Sequence, residues 1–443
     1  MTRSLWLCVL ALALGALVVA PGPAAAEPLF AGTSNSGIVY QYMGGTTWDA
    51  ISPSLGYAVL TLTEYEGKLY AGTMSTSSPM SGVGKVWRYD GDGLWTLVGD
   101  DLDDQVCQLV VYNGDLYAGT AWAGGRICRY DGGTTWTNVV SYGGWSGMRA
   151  LYVAEDGYLH CGDIGYDKFG RFDGTTFTYD ENHYGSCIYD FAEYDGALYG
   201  SAYQGRMFRS ANGINWSNVL GYYDGNMWEL EVFQGLLFMS YNNGVLHSTD
   251  STIARDYVWT APDGIISMVA QGDIALYLGT GGEAGAYYGS SGSGTGKVYS
   301  YDGFSTPVAI SGTLGVGIQC LYVQPVLPVD IDIKPGSDPN SINLDSAGVI
   351  PVAILGSDTF DASTVDPSTV CLAGASVKLI GKGSKYSASL EDVNGDGYLD
   401  LVCRIETASF LVESGASTAV LEAETYDGQR IRGEDTIRIV PPE

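Results

Sequence analysis

Leu116-Tyr117-Ala118-Gly119-Thr120 is preceded by Gln108-Leu109-Val110-Val111-Tyr112-Asn113-Gly114. It is followed by Ile127-Cys128-Arg129-Tyr130-Asp131-Gly132, which leads into Trp136. Three apolar runs bounded by Gly-containing turns, Asn113-Gly114 and Asp131-Gly132 among them, read as short strands in sequence. The central phrase returns as Leu29-Phe30-Ala31-Gly32-Thr33 and Leu69-Tyr70-Ala71-Gly72-Thr73. Looser copies start at Leu159, Leu198, Leu237 and Leu276, which makes seven. The third-strand phrase also repeats, as Val39-Tyr40-Gln41-Tyr42 before Trp48 and Val86-Trp87-Arg88-Tyr89-Asp90-Gly91 before Trp95. Each unit is thus four short strands joined by Gly-rich turns.

Four-stranded units in such a series predict an all-β chain built around a seven-bladed β-propeller. The first unit lacks its opening strand. A matching strand without a unit after it, Ile318-Gln319-Cys320-Leu321-Tyr322-Val323, stands at the far end. Ring closure, with this strand completing the first blade, removes the exposed edges of an open array. Residues 27–324 then form the propeller, at roughly 42 residues per blade. The Tyr-Asp-Gly…Trp phrase resembles the kelch repeat, with Ala-Gly-Thr where kelch carries a double Gly. Ser210-Ala211-Asn212-Gly213-Ile214-Asn215-Trp216 resembles the Asp-box turn of sialidase-type propellers. Both resemblances imply blade geometry and no particular chemistry.

The chain has 443 residues, with 50 acidic and 21 basic side chains and a formal charge of −29. This balance excludes nucleic acid and anionic membrane surfaces as partners, since both need a basic face. The 46% hydrophobic content and 32 Tyr exclude a disordered acidic chain. Residues 1–26 read as a secretory signal: Arg3, the apolar run Leu5 to Ala20, and the Ala24-x-Ala26 cleavage pattern. No later run reaches the roughly 18 apolar residues of a membrane span, so no membrane insertion is expected. The protein is expected to be exported, to the cell surface, periplasm or exterior. Seven cysteines follow the signal, none in a CxxC pair, and Cys371 with Cys403 is the one pair expected as a disulfide.

Tight turns such as Glu66-Gly67 and Asp90-Gly91 fall on one face of the ring, and the long connections fall on the other. Loops carrying aromatics on a rigid scaffold are where ligands are contacted. The expected contacts are Trp122, Trp145, His183, Tyr184, Tyr203, Tyr223 and Tyr241, with Asp101, Asp103 and Asp104 among them. No catalytic residues are expected. His160 and His247 fall in strands, no nucleophile elbow occurs, and the Arg residues (Arg88, Arg126, Arg129, Arg171, Arg206, Arg209) fall in third strands, away from the hub.

Residues 325–328 read as a linker, and residues 329–443 as a β-sandwich of alternating strands. Asp332-Ile333-Lys334-Pro335-Gly336-Ser337, Pro339-Asn340-Ser341-Ile342-Asn343 and Asp392 through Val402 resemble an uncharacterised domain found at the C-termini of exported prokaryotic proteins. Within it, Asp392-Val393-Asn394-Gly395-Asp396-Gly397-Tyr398-Leu399-Asp400 sets oxygens at alternate positions of a tight loop, a pattern for Ca²⁺. Asp392, Asn394, Asp396, the Tyr398 carbonyl and Asp400 are the expected ligands. The whole reads as an exported binding protein for a glycan or an extracellular protein, with a Ca²⁺-stabilised accessory domain. The alternatives are a carbohydrate-active hydrolase or lyase using hub carboxylates, or a structural component of a cell surface or matrix. Carboxylates and an Arg converging on one hub pocket would favour the enzyme.

Overall fold

The computed structural model describes residues 27–440 apart from 78–81, 123, 142–146, 164–167, 181–186, 224, 251–253, 282–293, 344–347, 382–384, 408–409, 412–415 and 427. The signal segment, Trp145, His183 and Tyr184 lie outside the described residues. The described chain is all-β save for two single-turn 3₁₀ segments. No described helix is long and apolar enough to cross a membrane.

Seven antiparallel four-stranded units make the ring, the second and third joined by a Met74–Gln105 pairing. The inner strands, in blade order, are Ile318–Val323, Ala58–Tyr65, Gln105–Tyr112, Met148–Val153, Ile188–Tyr194, Met227–Phe233 and Gly264–Gln271. The first of these pairs antiparallel with Leu29–Thr33, so the last propeller strand completes the first blade as expected. In four blades the first-to-second-strand turn is two residues long. Asn113 and Gly114 both take positive φ, 52° and 83°, between the paired Tyr112 and Asp115. That is the primed turn whose twist suits a hairpin.

The repeated phrases are explained by contacts between blades. A Cβ on Gly119 would lie 2.5 Å from the Met148 carbonyl oxygen of the next inner strand. On Gly162 it would lie 2.6 Å from Ile188. The Gly of the phrase is a point of close approach between successive blades. The following Thr closes the loop to the third strand: Thr120 Oγ1 accepts the Arg126 N–H at 3.0 Å, and Thr33 Oγ1 accepts that of Ile38 at 3.1 Å. On the rim, each repeated Trp packs on the Tyr of its own blade and donates to a carbonyl of the preceding blade. Trp95 Nε1 reaches Ile51, and Trp136 Nε1 reaches Val98, both at 2.9 Å. Trp48 does the same across the ring closure, to Ile310 at 2.9 Å. The third-strand Arg residues Arg88 and Arg129 pair with their own turn aspartates, Asp90 at 2.8 Å and Asp131 at 2.9 Å. In the Asp-box-like turn, Asn212 Oδ1 accepts the N–H groups of Ile214 and Asn215, and Trp216 stacks on Phe169 of the previous blade at 3.9 Å.

Beyond the ring, two main sheets pack as a sandwich. One is ordered Leu327–Pro328, Arg430–Thr436, Thr418–Glu424, Cys371–Leu372, Ala375–Ser376. The other is Ile331–Ile333, Val349–Ile354, Asp400–Glu406, Ala388–Glu391. Ile333, Val352, Leu372, Cys403, Ile405 and Leu421 fill the space between them. Two expectations change here. The linker residues Leu327–Pro328 are an edge strand, parallel to Ile431 and Arg432, a place where a proline's missing N–H does no harm. Cys371 and Cys403 belong to opposite sheets and are both free thiols, so the expected disulfide is absent.

Candidate functional site

Every inner strand breaks register with its neighbour at one point near its start. Val59 pairs with Thr73 but Thr61 with Gly72, so Leu60 is left over. The same slip leaves out Cys107, Arg149, Tyr189, Ile266 and Gln319 in five other blades. In the sixth blade it falls between Met227 and Leu230, at Trp228 and Glu229. A β-bulge inserts an unpaired residue and re-aims its side chain. Seven bulges at one level of a closed ring therefore aim seven side chains at the axis. Leu60, Cys107, Arg149, Tyr189, Trp228, Ile266 and Gln319 line one hub cavity of about 100 Å³, together with Gln105, Gln108, Asp190 and Glu229. The bulges sit where the inner strands begin, the end of the hub that carries the long connections.

Arg149 corrects the sequence reading, which assigned the arginines to third strands. Its guanidinium carbon stands 4.8 Å from the Tyr189 ring centre and 4.6 Å from that of Trp228. Two aromatic faces about one cation hold it in place. Asp190 and Glu229 line the pocket beside it and act on each other electrostatically. The Leu230 N–H donates to Asp190 Oδ2 at 2.9 Å. Both carboxyls keep partial exposure to the channel, yet protein surrounds them on every side, so water solvates them poorly. Burial is the main reason the Asp190 carboxyl is pushed up to about 6, against the N–H bonds and the Arg149 charge. Burial and then the Asp190 charge hold Glu229 well above the usual carboxylate range. Glu231, on the same strand, is pushed up to about 8 by burial and Asp190.

The expected contacts scatter differently. Trp122 packs half-buried against the hub cluster of Ala121, Tyr189 and Trp228, and its φ of 82° is unusual for a bulky residue. Tyr203 is exposed on a 3₁₀ turn. Tyr223 lies under Arg255 at 4.8 Å and bonds His247 Nε2 through its hydroxyl at 3.1 Å. Tyr241 is wholly buried in the core between blades, which removes it from the contact set. Asp103 is buried, bonded to Thr120 and paired with Arg126, beside Asp101 and Asp104 in a shallow acidic depression on the long-loop face.

In the second domain, the Asp392 carboxylate accepts the N–H groups of Gly395 at 2.7 Å and Gly397 at 3.1 Å. Asp396 accepts that of Tyr398 at 2.8 Å. Asp400 is fully buried and accepts from Gly356 and Val393 at 2.9 and 2.8 Å, tying the loop to the sheet. Among the described residues, no three carboxylate, His or Cys side chains converge as metal ligands. The loop has the donor types Ca²⁺ takes, with its carboxylates turned to its own backbone.

No family model matches the chain, and no curated protein matches it. Solved structures do. A structure described as a putative 6-phosphogluconolactonase from Bacteroides fragilis is similar at TM-score 0.51 and 12% identity, over 68% of this chain and 99% of that one. Sqt1 of Saccharomyces cerevisiae is similar at TM-score 0.46 and 11% identity, over 74% and 90%. YCF48 bound to D1 peptide is similar at TM-score 0.45 and 14% identity, over 58% and 89%. At such identities the likeness is one of fold. The chain is an all-β protein with a β-propeller, followed by further β-sheets.

Proposed function

We propose that this is an exported binding protein that takes part of a glycan or of an extracellular protein at the long-loop end of its propeller hub. The observation that carries this reading is the ring of seven bulges, which gathers Arg149, Tyr189, Trp228 and Gln319 from four different blades into one cavity. A β-bulge re-aims the residue it inserts, and one at the same level of every inner strand turns side chains of all seven blades toward the axis. The test is a glycan array probed with the full chain and with Trp122→Ala, which strips the hub mouth. Binding is expected to fall at least tenfold in the variant and to persist in Tyr257→Ala, an exposed rim residue. An empty array from folded protein would shift the reading to a protein partner. A bound array indifferent to Trp122 would move the site off the hub.

One observation favours a second reading, a carbohydrate-active hydrolase or lyase. Arg149, Asp190 and Glu229 meet in the same pocket, and a pair of carboxyls raised by burial is the equipment of general acid–base catalysis. The cavity of about 100 Å³ admits a single small group, which weighs against a whole sugar ring in the reacting position. Sugar release from polysaccharides, abolished in Glu229→Gln, would establish the enzyme.

We further propose that the Asp392–Asp400 loop takes one Ca²⁺ by turning Asp392 and Asp396 from backbone to ion. The alternating oxygens on a Gly-containing turn support this.

A further inference from the structure

The hub pocket sets groups of both charge signs side by side and leaves amides without hydrogen-bond partners. Arg149, Asp190 and Glu229 line it together, so a guanidinium and two carboxyls face the same small space. An incoming anion would meet the Asp190 carboxylate, and an incoming cation would meet Arg149, at close range in a poorly solvated site. A neutral group meets neither penalty. Meanwhile Gln105 is 1% exposed, and neither its Oε1 nor its Nε2 has a hydrogen-bond partner, with only the Cys107 thiol against the amide. Gln319 Nε2, from the ring-closing strand, is likewise without one. A buried amide left in this state is costly, so water or a ligand must meet it. The cavity of about 100 Å³ is room for about three waters. That volume suits a hydroxymethyl group with one neighbouring hydroxyl.

We infer that the hub pocket receives an uncharged hydroxyl-bearing group, the hydroxymethyl end of a sugar or polyol, held by the Gln105 amide and Gln319 Nε2. Each hydroxyl both donates and accepts, matching Gln105 Oε1 and the two amide nitrogens. This deepens the binding reading and rests on the hub being the ligand site.

Saturation-transfer NMR on the full chain tests it with four probes: glycerol, acetamide, acetate and methylammonium. Glycerol is expected to receive saturation, and acetate and methylammonium are expected to receive none. Gln105→Leu is expected to weaken the glycerol signal at least tenfold without lowering the melting temperature, because it removes an unpartnered amide. If Gln105→Leu does not fold, Gln319→Leu is expected to give a several-fold loss in its place. A stronger response from acetate or methylammonium overturns the inference, as does acetamide binding without glycerol or a glycerol signal indifferent to both variants. Glycans bound on the array but unaffected by Gln105→Leu would overturn this inference and leave the binding reading standing. Gln105-dependent glycerol binding with an empty array would leave this inference standing and overturn the glycan half of the binding reading.

Discussion

Glu231 shows how the hub sets the properties of a single side chain. Its carboxyl titrates near 4.5 in the unfolded chain and is pushed up to about 8 in the fold, chiefly by burial and then by the charge of Asp190. A carboxyl raised on folding favours the native state fully below its unfolded value. That advantage is lost as pH climbs through the folded value. Glu231→Gln is therefore expected to leave stability unchanged at pH 4 and to raise it by on the order of 2 kcal/mol at pH 8. Urea unfolding at the two pH values checks this, and an equal effect at both would mean that folding leaves the Glu231 carboxyl at its ordinary value. The raised carboxyls could not be read from the sequence. Asp190 and Glu229 are two among 50 acidic residues, and their environment comes from strands far apart in the chain. Arg149 was missed for the same reason. Aligning Val59-Leu60-Thr61, Val106-Cys107-Gln108 and Met148-Arg149-Ala150 as equivalent inner-strand starts would have brought it to the hub.

At the scale of the element, the repeated phrase was legible and its meaning was not. Leu-Tyr-Ala-Gly-Thr announces a strand, and the turn residues bound it, so blades and their order follow from local pattern. Why the fourth position is Gly emerges only from the neighbouring blade, whose Met148 carbonyl lies 2.5 Å from where a Cβ would sit on Gly119. Backbone there cannot swing aside as a flexible side chain would. Gly119→Ala is expected to cost about 2 kcal/mol, measured by denaturant unfolding. Gly221→Ala, where nothing lies within 4 Å of the added carbon, is expected to cost far less. Equal losses would show that glycine entropy and not blade contact explains the phrase. The bulges were equally hidden. A run such as Gln105-Val106-Cys107-Gln108 carries no mark of which residue will be skipped, because that depends on register with the second strand.

The whole molecule combines a closed ring with a sandwich of its own core. Ring closure joins Ile318–Val323 to Leu29–Thr33 and is reinforced at the rim by Trp48 donating to Ile310. The sandwich core from Ile331 to Ile437 is separate from those of the blades, so the second domain is expected to respond to calcium by itself. Adding Ca²⁺ to chelator-treated protein is expected to raise the melting transition of residues 329–440 by several degrees and to leave that of the propeller in place. Asp396→Ala is expected to abolish the rise. No shift in the unsubstituted chain would show that the Asp392–Asp400 turn is a backbone device, as its present hydrogen bonds allow.

The repeat, the ring closure and the all-β division of the chain were determined by sequence alone, because strand alternation and turn chemistry act over a few residues and recur seven times. The site was decided by tertiary structure. One residue from each blade reaches the axis only after all seven inner strands have settled their register, and the charges and unpartnered amides there acquire their character from the enclosure they create together.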